Sequence, residues 1–173
     1  MAWFLHPFDT FTLRRKRHIL LALSWMLGLG LGALVFRYEK QHITALMPSV
    51  LCSQSSIIGL AASALLPFLL SAVAVYLSFP LFLIPICFSK AFLYAYISCG
   101  IYHFFCSAGW LIHGLLLFVD TLSIPVLYLY WLRHISGFRY FHPASTGIYF
   151  AALVLIITLG YHWIMPLTVA LSF

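Results

Sequence analysis

Charge is what this sequence has least of. Only 7% of its 173 residues are Asp, Glu, Lys or Arg, and just three of those are acidic. A soluble domain carries roughly 25% charged residues, so this chain cannot cover a globule of its size with a wetted surface. Catalytic and metal signatures are missing too: there is no HExxH, no G-x-S-x-G, no paired intramembrane aspartate and no CxxC. The three carboxylates, Asp9, Glu39 and Asp120, are dispersed, and the histidines join no recognisable nucleophile. The expectation is a protein without enzymatic activity and without a cofactor. No soluble domain, long linker or low-complexity tract is visible, and the polar stretch from Arg37 to Ser56 is too short to build a core.

What is present is apolar. Hydrophobic residues make up 64% of the chain, with a mean hydropathy of +1.07. A membrane-crossing helix needs about 20 mostly apolar residues, and the segments Ile19–Phe36, Ile57–Tyr76, Phe79–Ile101, Gly109–Trp131 and Gly147–Ile164 meet or approach that length. The expected fold is an all-α membrane protein, one domain over residues 1–173, with about five transmembrane helices. Ser78 and Pro80 favour the turn between the second and third segments, and Pro85 is expected to bend the third. A partly re-entrant third segment is the alternative.

The formal charge of +6 is not arranged as an aromatic-interleaved nucleic-acid patch. With the N-terminus in the cytoplasm, Arg14, Arg15, Lys16, Arg17, Arg133 and Arg139 fall inside and only Arg37 and Lys40 outside, as the positive-inside rule favours. This predicts a cytoplasmic N-terminus, an extracytoplasmic C-terminus and a multi-pass protein of the bacterial inner membrane. The first segment is read as an uncleaved anchor, since no A-x-A site closes it. Trp110 and Trp131 fall at the ends of the fourth segment and are expected in the interfacial belts, with Tyr128 and Tyr130 beside them.

Within "GLGLG", Gly28 and Gly32 have the small-xxx-small spacing that lets membrane helices approach closely. They are expected to pack the first helix on a neighbour or on a second copy, which leaves a homo-oligomer open. Cys99, His103 and Cys106 would share a helical face, with His113 a possible fourth ligand, but no standard zinc spacing results and no metal site is expected. Cys52, Cys87, Cys99 and Cys106 are read as reduced structural thiols.

Lys90 lies near the middle of "PLFLIPICFSKAFLYAYIS". A lone charge at mid-bilayer costs roughly 2.5–3.5 kcal/mol on insertion scales. Asp120 lies as far beyond Phe105 as Lys90 lies before it, so an antiparallel hairpin would bring the two to one depth as an intramembrane charge pair. Pro85 and Pro125 would reach a shared level as well, where kinks could leave free carbonyls and a polar pocket. Such a pair serves helix register, a substrate pathway or a partner's membrane helix.

These residues also carry a resemblance. "IPICFSKAFLYAY", with Phe88-Ser89-Lys90-Ala91 followed by Ala95-Tyr96, then Gly109-Trp110, "VDTLSIP" (Val119 to Pro125) and "YHWIMP" (Tyr161 to Pro166), resembles the stage II sporulation protein M family. Alanine stands twice where that family has glycine, and Asp120 replaces an amide patch. The resemblance covers about Ile57 to the C-terminus, and the stretch between the first two spans is shorter than in classical members. It implies a membrane scaffold of a cell-envelope machine, holding partners such as membrane-anchored peptidoglycan hydrolases within the lipid bilayer. The alternative function is a small transporter or permease component with an intramembrane Lys–Asp site.

Overall fold

The computed structural model describes residues 7–39, 57–105, 117–135 and 143–171. They form five α-helices and, among the described residues, no strand: α1 (Pro7–Glu39), α2 (Ile57–Tyr76), α3 (Leu83–Phe105), α4 (Phe118–Ile135) and α5 (Pro143–Leu171). Three helices are long and apolar enough to cross a bilayer, over Lys16–Glu39, Leu83–His103 and Pro143–His162, and Ala61–Tyr76 is a shorter apolar helix. Large apolar side chains also cover the outside: Met26, Leu27, Leu34, Leu66, Leu155 and Ile148 are all more than half exposed. Such a coat is far larger than the apolar patches soluble monomers show.

The α2–α3 joint is a turn rather than one continuous helix. Phe79 N–H reaches the Ala74 carbonyl at 2.9 Å and Ser78 N–H reaches that of Val75 at 3.0 Å. These are the two bonds of a Schellman cap, and Ser78 takes the left-handed position with φ 61°. A short 3₁₀ turn over Pro80–Phe82 comes next, before α3 begins at Leu83. Pro85 therefore lies in the first turn of α3, where a helix needs no N–H from it. The chain turns at Ser78 and Pro80, the residues the sequence favours for the turn.

α1 packs chiefly along α3. Both run in the same direction: Ser24 Oγ donates to the Ile84 carbonyl at 2.9 Å near one end, and Phe36 meets Tyr96 near the other. Gly28 and Gly32 form the seam between them. A Cβ on Gly28 would lie 2.6 Å from the Phe88 carbonyl oxygen and 2.8 Å from Ala91 Cβ, and one on Gly32 would strike the Phe92 carbonyl beside Ala95. Ala91 and Ala95 thus complete a small-residue contact within one chain. Gly30 has nothing within 4 Å of the same position.

The other three helices form a second group. α5 runs antiparallel to α4, with Tyr149 on Tyr130 at one end and Gly160 under Val119 at the other. α2 lies against both. The two groups share a core at the end where α3 starts and α4 finishes, built from Leu21, Phe68, Leu83, Cys87, Leu127 and Trp131. At this end Arg17 Nη1 also donates to the last carbonyl of α4, Ile135, at 3.4 Å, where the negative end of a helix dipole favours a cation.

Trp131 and Tyr130 belong to this core, both fully buried, not to an interfacial belt as the sequence suggested. For Trp131 the reason is a satisfied polar group. Trp131 Nε1 donates to Ser71 Oγ at 2.7 Å, and Ser71 Oγ donates to the Pro67 carbonyl at 2.6 Å. With its N–H paired inside, the indole has no need to reach the interface. Trp110 and the expected start of the fourth span at Gly109 lie outside the described residues.

Candidate functional site

Beyond the shared core, the central polar link between α3 and the second helical group is Lys90. Lys90 Nζ lies 2.8 Å from Asp120 Oδ1 on α4 and donates to the Ser63 carbonyl on α2 at 2.7 Å. A single ammonium therefore ties three helices together. Both charged residues are nearly inaccessible, at 5% and 4% exposure.

Each position has a local cause. Lys90 sits one residue before Ala91, which faces the glycine seam of α1, so its own side chain leaves α3 on a different side, toward α2 and α4. Asp120 is in the first turn of α4, where the positive end of the helix dipole favours a carboxylate. Ser123 Oγ donates to the Asp120 backbone carbonyl at 2.9 Å. The Ser63 carbonyl is available because of Pro67. In an α-helix that carbonyl would accept from the N–H four residues on, and proline has none. Beside the pair, the hydroxyls of Tyr94 and Thr121 are 3.2 Å apart.

Pro125 lies inside α4, and Pro85 lies in the first turn of α3. The polar carbonyl expected near a proline is supplied from α2 instead. Sequence reasoning missed Pro67 and Ser63, although a proline inside an apolar segment, with its free carbonyl four residues earlier, was the available signal.

The pair forms the floor of a cavity of about 700 Å³ between α2 and α3. Ser63, Ser89, Lys90 and Asp120 are its polar lining, and Pro85 contributes to its wall. Leu66, Leu70, Phe82 and Leu93 line it as well and are each more than half exposed, so the cavity is a lateral groove opening on the outer apolar face. Pro125 is not in its lining.

No cluster of three or more metal-ligating side chains occurs among the described residues. Cys99 and His103 lie on α3, while Cys106 and His113 lie outside the described residues. Cys87 is buried, and its thiol points to the Leu21 carbonyl at 3.8 Å. The groove can thus offer hydrogen bonds and apolar contact.

No family model matches this chain, and neither the curated proteins nor the solved structures give a match. Nothing in these comparisons identifies the sporulation-protein resemblance.

Proposed function

We propose that this chain is a non-catalytic interaction protein of the bacterial inner membrane, a scaffold that holds other membrane-anchored envelope proteins against its α2–α3 groove. The observation that carries this reading is the buried 2.8 Å Lys90–Asp120 contact at the floor of a groove with exposed apolar walls. A buried ion pair whose lysine makes a second hydrogen bond, to the Ser63 carbonyl, is a poor candidate for repeated making and breaking during transport. An apolar groove open sideways suits a partner that arrives through the bilayer. The orientation that goes with this reading places the Arg17 end of the bundle in the cytoplasm, in keeping with the basic residues. Peptidoglycan hydrolases as partners, and a role in sporulation, rest on the sequence resemblance alone.

The transporter reading draws on the same cavity, because Lys90 and Asp120 both line it. A photo-crosslinking residue at Leu66 or Leu93, on the groove walls, separates the two. In native membranes it should give a discrete adduct with an envelope protein identified by mass spectrometry, while the same probe at Leu155, on the outer face of α5, should not. Adducts to lipid alone at all three positions would sink the scaffold reading.

A further inference from the structure

The groove is polar at its middle and apolar at both ends. Along α2 it runs from Gly59 to Leu70 and along α3 from Pro85 to Ile97, roughly 17 Å at 1.5 Å per residue. Lys90, Ser63, Ser89 and Asp120 lie between those limits. A lipid presents its polar group at one end and its chains beyond it. The groove instead matches an occupant that is apolar, then polar, then apolar again, which is the pattern of a membrane-crossing helix with one polar side chain at mid-span. Gly59 and Ser63 give the α2 wall the small-xxx-small spacing that admits another helix backbone closely.

The hydrogen-bonding capacity left at the floor narrows the polar group. An ammonium has three protons, and among the described residues Ser63 and Asp120 Oδ1 take two of them. Asp120 Oδ2 receives no donor among the described residues. A donor and an acceptor thus lie side by side in a pair that is already neutral. A charged side chain would unbalance it in a low dielectric, whereas a primary carboxamide offers one N–H and one C=O together.

We propose, resting on the scaffold reading, that the groove receives a transmembrane helix carrying a mid-span Asn or Gln, whose carboxamide donates to Asp120 and accepts from Lys90. The helix belongs to a different protein. This chain has no asparagine, and its glutamines, Gln41 and Gln54, lie outside the described helices, so no described helix of a second copy carries a side-chain amide.

The test uses the purified full chain in lipid nanodiscs and labelled synthetic helices of leucine and alanine, identical except for Asn or Leu at the centre. Association is read by energy transfer to an acceptor on the chain. The Asn helix should bind about tenfold more tightly than the Leu helix, the scale of one interhelical hydrogen bond in lipid. Ala62→Phe fills the groove from an exposed lining position and should abolish the preference. Equal binding of both helices, binding of neither, or a preference that survives Ala62→Phe overturns the proposal. A crosslinked partner whose helix lacks any amide would overturn it too, and would leave the scaffold reading standing. Conversely, a clear Asn preference here with no protein adduct in native membranes would fail only the scaffold reading.

Discussion

Lys90 donates to the backbone carbonyl of Ser63 at 2.7 Å, a carbonyl whose helical donor would have been residue 67, which is proline. The ammonium takes the place of a missing backbone N–H and at the same time neutralises Asp120. This arrangement makes the cost of losing either charge unequal. Lys90→Met strands both a buried carboxylate and a carbonyl, while Asp120→Leu leaves the ammonium one remaining acceptor. Removing one member of a buried pair costs about 3–5 kcal/mol. Lys90→Met should fall at the upper end of that range and Asp120→Leu at the lower. The double variant should recover much of the loss, as measured by unfolding in mild detergent. Additive losses would rule out the coupling.

The glycines of α1 provide an internal control. Gly28→Ala places a methyl group against a rigid carbonyl and should destabilise by about 1–3 kcal/mol, the usual cost of overpacking. Gly30→Ala meets open space and should be neutral or stabilise by up to about 1 kcal/mol through helix propensity. Opposite signs in thermal denaturation are the expected result. Equal responses would mean that the α1–α3 seam yields to a methyl group without cost.

Ser71 and Thr158 both donate to a carbonyl of their own helix, yet their loss should differ. Ser71→Ala also removes the acceptor of the buried Trp131 N–H and should cost about 1–3 kcal/mol for the unsatisfied donor. Thr158 is exposed, so Thr158→Ala should stay within about 0.5 kcal/mol. Trp131 fluorescence should shift in the first variant and not in the second.

The helix directions make orientation testable with few fusions. α1 and α3 point one way, and α5 runs antiparallel to α4, so reporters after Phe173 and within residues 136–142 should report opposite sides. With the basic residues inside, the first should behave as extracytoplasmic and the second as cytoplasmic. A cytoplasmic C-terminus would contradict the proposed odd number of crossings.

Much of this was legible in the sequence because a bilayer imposes coarse rules. The Ile57–Tyr76 helix coincides with its expected bounds, since an unbroken apolar run and a polar turn leave little choice. Lys90 and Asp120 were placed at one depth by symmetry about Phe105, and the structure brings them to 2.8 Å. The Ser63 carbonyl was not legible in the same way, because a backbone acceptor has no residue type to mark it. Trp131 was misjudged for a related reason. Its interfacial preference is real when the indole N–H needs water, and the Ser71 hydroxyl that removes that need comes from a different helix. Gly28 and Gly32 showed a close contact in their spacing, but not that α3, two helices along, would be the neighbour.

Lys90 and Asp120 are separated by 30 residues, and the chain is made from its N-terminus. At ~5–20 residues per second, Lys90 precedes its carboxylate by about 1.5–6 s. Ser63 and Pro67 are already synthesised by then. Of the two groups that finally hold the lysine, only the proline-exposed carbonyl exists during this interval. Pro67 thereby gives the nascent α2–α3 hairpin an acceptor for its cation before the counter-ion has left the ribosome. A Pro67→Ala chain would return that carbonyl to its own helix and leave Lys90 to wait for α4 without it.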